Sequence, residues 1–411
     1  MEQKLFYTQP NSSAFSAKLT KIIPLDNHCF GLILDATAFY PEGGGQPCDT
    51  GTIQDYPIID VQERDGQIIH IINEPIDMNL LNTNVKGIVN WRRRFDHMQQ
   101  HSGQHILSAV FYNAFQAKTV GFHMGSESCQ IDLAMDELTL EMANQVECLA
   151  NELIFANKPI VTKWIGTDEL PLFPIRKIPA KKIENARLVY IEDFDYSLCC
   201  GTHTATTGAI GLVKIRHWER KNNAVRIDFV CGGRALQDYQ YKNALLNRLS
   251  NQFSSAIPSL EAAIEQTVAK SERLIKELLH AKQALYQQLA IQLAEETEPL
   301  KNGVTIVTHI MNDAYPQDVN MLAKELLQRP KTIVLLAGVD AEKSKNHLVF
   351  SAVGDIANIH MGQQLKNTLA KLGGKGGGSA TAAQGGCAHS GNLCAALEQA
   401  KTDIIAVLLK G

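Results

Sequence analysis

The chain has 411 residues, 45% apolar and 20% charged, with a formal net charge of −4. That composition is ordinary for a globular protein of about two to four domains. It excludes a chain that is basic all over, so any nucleic-acid surface must be local.

The opening MEQKLFYTQP has no apolar core of signal-peptide length, and no later run approaches a membrane span. Nine cysteines without a disulfide-like framework fit reduced thiols available to a metal. Both features point to a soluble cytoplasmic protein. Residues 1–90 alternate short strand-like runs (KLTKIIPL, HCFGLILDATAFY, GTIQDYPIIDVQER, QIIHIIN, VKGIVNW) with turn residues, which predicts a small β-barrel. Within it, PEGGGQP (residues 41–47) puts three glycines together, either to let backbone approach a ligand or as a hairpin tip.

From Trp91 the pattern becomes helical, and HMQQHSGQH carries His97, His101 and His105 at four-residue spacing. Residues four apart stack on one helix face, so His101 and His105 can turn two nitrogens toward one ion, whereas His97 is roughly 12 Å from His105. A distant CCGTH supplies Cys199 and His203. Two imidazoles, a thiolate and a further imidazole form a set softer than magnesium or calcium prefers and suited to zinc. Between the two halves, Gly121 and Gly125 bracket His123, a candidate polar group outside the ligand set, with a buried structural histidine as the alternative. LEMANQVECLANELIFANK has helical spacing, and VTKWIG, ARLVYIED, GLVKIRHW and AVRIDFV read as strands, giving an α+β domain over 91–240.

Residues 241–300 are helix-forming apart from Pro258, with apolar positions at mixed three and four spacings. They predict a helical arm that either joins a homodimer or spaces two domains. From 301 to 411 α/β signals return, interrupted by LGGKGGGSATAAQGG, whose glycines and Lys375 can cradle phosphates or lie flat on a base. Its spacing is not that of a Walker loop. Basic residues gather at Arg92, Arg93 and Arg94; at Arg176, Lys177, Lys181 and Lys182; and at Arg216, Arg220, Lys221 and Arg226.

Taken in order, YPEGGGQP, HSGQH, LCCGTH with TGAIGLVKI, VRIDFVCGGRAL and GGKGGGSATAAQGG resemble the AlaX family of alanyl-tRNA editing proteins in its long form, and the C-terminal half of alanyl-tRNA synthetase. The resemblance spans essentially the whole chain. It implies one Zn2+ held by His101, His105, Cys199 and His203, with His97 outside. A cysteine, Cys200, stands where the family loop has its first glycine; either its thiol points away or it competes with Cys199. Implied too is hydrolysis, in trans, of serine or glycine esters on tRNA(Ala), the main partner, with alanine spared. Four donors leave a tension with catalytic zinc, which usually keeps three and an open position.

A pocket that admits serine also admits alanine, so selection needs a group that hydrogen-bonds the serine hydroxyl. Thr37 and Gln46 are the candidates, expected at the barrel edge facing the zinc. Residues 301–411 resemble a DHH-associated domain, and Gly373, Gly374, Lys375, Gly376, Gly377, Gly378 and Gln384, with Arg92 and Arg93, are the expected tRNA contacts. Two other classes remain: a zinc-stabilised tRNA-binding module without catalysis, and a DHH-type phosphoesterase. The second lacks its carboxylate-rich motif, since Met98 follows Asp96-His97.

Overall fold

The computed structural model describes residues 3–26, 28–176, 185–340, 345–353, 356, 359–388 and 392–409. Lys177, Lys181 and Lys182 of the second basic cluster lie outside them. The chain divides into two compact units, Met1–Leu249 and Ser250–Gly411.

In the first unit, seven strands form one antiparallel sheet in the order Tyr56–Ile58, Gly51–Ile53, Asn84–Val89, Ala14–Pro24, Phe30–Leu34, Gln67–Ile72, Asp60–Arg64. The two edge strands are separated in sequence by Ile59 alone, whose N–H bonds to Ile71, so the sheet curls into a nearly closed barrel. Alternation explains the burial: along Asn84–Val89 every second residue faces in. Leu19, Leu32, Leu34, Phe39, Ile53, Val61 and Ile72 fill the interior, each contributing about 1.5–3 kcal/mol. The glycine motif is a tight hairpin. Gly43 and Gln46 exchange both backbone bonds, and Gly44 and Gly45, at φ 58° and 85°, make the two-residue turn that demands positive φ.

The barrel continues without a break into the α+β module. Helix Trp91–Phe115 and helix Leu140–Phe155 pack on the four-stranded antiparallel sheet Lys118–Met124, Cys129–Ala134, Ala224–Cys231, Val213–Lys221. A second sheet, Val161–Gly166, Asn185–Ile191, Asp195–Leu198, carries the CCGTH loop at its end. The histidine helix is buried on nearly every side from His97 to Phe111, although it is rich in polar residues. Gln100, buried there, is paired: it gives and takes bonds of 2.9 and 2.8 Å with the Cys231 backbone. Arg94, fully buried, chelates Asp49 and donates to the carbonyls of Ala38 (2.6 Å) and Pro10 (3.1 Å), fastening the helix to the barrel. Barrel and α+β module lie within the one compact unit Met1–Leu249.

The second unit holds helix Leu260–Glu295 and a five-stranded sheet in the order Thr305–Asn312, Thr332–Asp340, Lys345–Ala352, Ala382–Ala388, Lys375–Gly378, with the first pair parallel. Its glycine-rich stretch forms a hairpin, Gly377 pairing with Gln384, with Lys375–Gly378 exposed. Pro258 sits in the turn before the long helix. Among the described residues no helix is long and apolar enough to cross a membrane.

Candidate metal centre

The histidine helix and the CCGTH loop meet as their residue types demand. His101 Nε2 and His203 Nε2 each lie 3.4 Å from Cys199 Sγ, and the donor atoms of His101, His105, Cys199 and His203 lie within 4.8 Å of one another. Tetrahedral zinc with nitrogen and sulfur ligands sets its donors about 3.4–3.6 Å apart. The four residues could hold one metal ion; their chemistry suits zinc, and the two Cys199–histidine distances match its spacing. His97 lies outside the cluster, as the family resemblance implied.

His101 and His203 each have an outer hydrogen-bonding partner on the ring nitrogen away from the thiol. Gln46 Oε1 accepts from Thr202 N–H at 3.0 Å, which fixes the amide's orientation, and it then accepts from His101 Nδ1–H at 2.9 Å. That leaves His101 Nε2 bare toward the thiol. His203 Nδ1 lies 3.3 Å from Ser102 Oγ, which itself accepts from Thr204 N–H. His105 Nδ1 lies 3.7 Å from buried Asp195, a charge contact too long for a hydrogen bond, and Arg176 holds that carboxylate from the other side. Cys199 Sγ accepts from Gly201 N–H at 3.3 Å. A Cβ on Gly201 would strike the His101 ring, so backbone must pass here without a side chain. Arg187 ties the loop down through the carbonyls of Cys199 (2.9 Å) and Gly201 (2.8 Å).

The electrostatics favour a cation. Burial opposes ionisation of Cys199, yet His101 and His203 hold its thiol well below the usual range. Burial also opposes charge on His105, but Asp195 and Cys199 lift it to about 9, while burial pushes His203 down to about 3. Asp195 also stays ionised against its burial, through His105 and Arg176. A thiolate and a carboxylate thus face the same buried imidazoles, a set that a divalent ion neutralises.

The other expected residues are distributed differently. Cys200 is exposed and outside the donor cluster. Thr37 lies wholly inside the barrel, where His70 Nδ1–H donates to the Leu32 carbonyl (2.9 Å) and so leaves Nε2 to accept the Thr37 hydroxyl at 2.8 Å. The Phe39 N–H donates to that same hydroxyl oxygen at 3.1 Å. Gln46 does face the cluster; its Oε1 accepts from His101 and Thr202 and its Nε2 donates to the Thr202 hydroxyl. His123 is exposed, because strand alternation gives the inward place to its neighbour Phe122, whose ring lies 5.5 Å from that of His101 and against Gly45. Arg92 is exposed and Arg93 partly so; Arg94 of the same run is the buried anchor. Arg176 is spent on Asp195, Arg216 on Asp228 and Arg226 on Asp132. Sequence reasoning missed Asp195, Arg187, Ser102 and His70; only Ser102, inside HSGQH, carried a local signal.

Residues 186–227 match the threonyl and alanyl tRNA synthetase second additional domain, residues 11–93 the class II (A) tRNA synthetases, and residues 303–406 the DHHA1 domain. The alanyl-tRNA editing protein AlaX-L of Pyrococcus horikoshii is 30% identical over 94% of this chain and 94% of its own. The alanine–tRNA ligase of Methanococcoides burtonii is 30% identical over 93% of this chain, which spans 42% of that enzyme. The alanyl-tRNA editing protein Aarsd1-B of Xenopus laevis is 28% identical over 75% of this chain and 74% of its own. With that end-to-end match to AlaX-L and the DHHA1 domain behind the four-donor cluster, this chain belongs to the long-form AlaX family of alanyl-tRNA editing proteins.

Proposed function

We propose that this chain is a zinc-dependent aminoacyl-tRNA deacylase that hydrolyses the serine ester of tRNA(Ala), and the glycine ester with weaker discrimination, while sparing Ala-tRNA(Ala). The observation that carries the reading is the four-donor cluster of His101, His105, Cys199 and His203 in a chain of this family. A zinc ion bound there supplies Lewis-acid polarisation of an ester carbonyl. The chain's own residues do the rest. Gln46 holds the proton of His101 at Nδ1 and keeps Nε2 free. Asp195 keeps Nδ1 of His105 turned away from the cluster.

Thr37 is the proposed reader of the serine hydroxyl. Its own proton is committed to His70, so its oxygen is available only as an acceptor, and a serine O–H is the matching donor. The Phe39 N–H occupies one lone pair of that oxygen, so the serine O–H would take the other, which alanine leaves unused, a difference that can reach a factor of about 10⁴. Residues 1–90 and 91–240 would present the ester. The glycine hairpin of residues 301–411, with Gly373, Gly374, Lys375, Gly376, Gly377, Gly378 and Gln384, would grip tRNA, and 241–300 would connect the two.

Deacylation of Ser-, Gly- and Ala-tRNA(Ala) by zinc-loaded wild type, Cys199→Ala and Thr37→Val tests this. Expected are rapid loss of the serine ester, none with Cys199→Ala, and a reduced serine-over-alanine ratio with Thr37→Val. An unchanged ratio refutes the Thr37 assignment. Four protein donors also fit a closed, structural zinc in a tRNA-binding module; zinc-replete protein that binds tRNA tightly and hydrolyses no ester would establish that second reading.

A further inference from the structure

The first turns of the histidine helix, N-terminal to the metal cluster, line a groove of about 690 Å³ whose walls include Trp91, Arg92, Arg93, Phe95, His97 and Arg234. Its charge is unbalanced. Arg234 is neutralised by Asp96, with its guanidinium 2.6–3.1 Å from the carboxylate oxygens. Arg92 and Arg93 form no ion pair among the described residues, and Arg93 spends only Nε, on the Cys48 carbonyl at 3.0 Å. Two cations therefore stand in excess at the positive end of a 25-residue helix.

The groove also has a flat apolar wall. The Trp91 and Phe95 rings, one helical turn apart, stack with centroids 6.0 Å apart and planes 26° from parallel. His97, 3% exposed, lines the same groove and keeps its Nδ1 without a partner among the described residues. Burial, helped by Arg93, pushes this imidazole down to about 4, so it is a neutral hydrogen-bonding group at physiological pH.

We propose that this groove seats unpaired nucleotides of RNA, phosphates against Arg92 and Arg93 and a base against the Trp91–Phe95 wall. Excess cations beside aromatic faces recognise single strands, whose bases are free to stack, better than a duplex, whose bases are already stacked. Position gives the groove its use. His97 precedes His101 by one turn, about 6 Å, and Pro47 in the groove wall follows Gln46, which bonds His101. A strand seated here would lie about one helical turn from the metal cluster. That the strand is the 3′ end of an acylated tRNA rests on the deacylase reading; that it is unpaired RNA does not.

The test uses full-length zinc-loaded protein and a labelled, unacylated tetranucleotide ACCA, followed by fluorescence anisotropy. Trp91→Ala should weaken binding by about tenfold or more, the scale of one base–aromatic stack, and Trp91→Phe should restore most of it. Arg92→Ala with Arg93→Ala should reduce the slope of log affinity against log salt by roughly 0.7 per cation removed. Retained zinc content shows that each variant is folded. Wild-type ACCA affinity in Trp91→Ala and in the double variant, or equal binding of an RNA duplex of the same charge, overturns the proposal. ACCA binding lost in these variants of a protein that hydrolyses no ester supports the groove and rejects the deacylase. Ester hydrolysis with ACCA affinity unaltered in every variant does the reverse.

Discussion

Replacing Gln46 by Leu removes a side chain that touches no metal donor atom, and its effect should still be read at the metal. Gln46 and Thr202 are fully buried and His101 is 2% exposed. The leucine leaves the His101 Nδ1–H and the Thr202 N–H without their common acceptor, and each such loss costs about 1–3 kcal/mol. Freed of Gln46, the His101 ring can move its proton to Nε2, the nitrogen that faces Cys199. Losing an orienting partner of a ligand histidine typically weakens metal binding 10–100-fold, about 1.4–2.7 kcal/mol of zinc-derived stability at fixed free zinc. The assay is competition for Zn2+ with a chromophoric chelator, paired with urea unfolding in the presence and absence of zinc. Gln46→Glu keeps an acceptor for His101 and should retain tight binding. Wild-type zinc affinity in Gln46→Leu would refute the idea that Gln46 sets the His101 tautomer.

Arg94→Ala should destabilise the first unit by about 3–5 kcal/mol, because Asp49 is left charged and fully buried; the double variant Arg94→Met with Asp49→Leu should recover part of this in urea unfolding, and a mild single-variant effect contradicts the buried-anchor reading. His70 is held near pKa 4 by complete burial, below the unfolded 6.5. The unfolded chain therefore takes up this proton first, and stability is lost as pH falls from about 6.5 to about 4, by about 3 kcal/mol. His70→Gln should flatten that part of the pH–stability curve, and an identical slope in the variant would show that His70 titrates normally. Thr37→Val should do more than shift selectivity: it strips His70 Nε2 and the Phe39 N–H of their partner, and a stability loss of about 1–3 kcal/mol should accompany it.

Spacing along one helix is local, so it showed that one ion could use only two of His97, His101 and His105, and the resemblance to the editing family singled out His101 and His105. Strand alternation and turn glycines likewise made the barrel and the α+β class readable, because each depends on near neighbours in the chain. The run Arg92, Arg93, Arg94 shows where that stops. Successive helix residues are about 100° apart, so one of three arginines had to face inward, and only the packed barrel with Asp49 decided that it is Arg94. His123 and Phe122 differ by one strand position, and the register with Cys129–Ala134 decided which turns toward His101.

The partners of the ligands were invisible for the same reason. Gln46 and His101 are 55 residues apart, and Ser102 and His203 are 101 apart; Asp195 reaches His105 across a comparable span. Nothing in a linear spacing marks such pairs. The motifs, with the family resemblance they carry, indicated which residues could bind a metal. Tertiary packing decided which nitrogen each histidine offers, since that depends on what the other nitrogen meets in the folded interior.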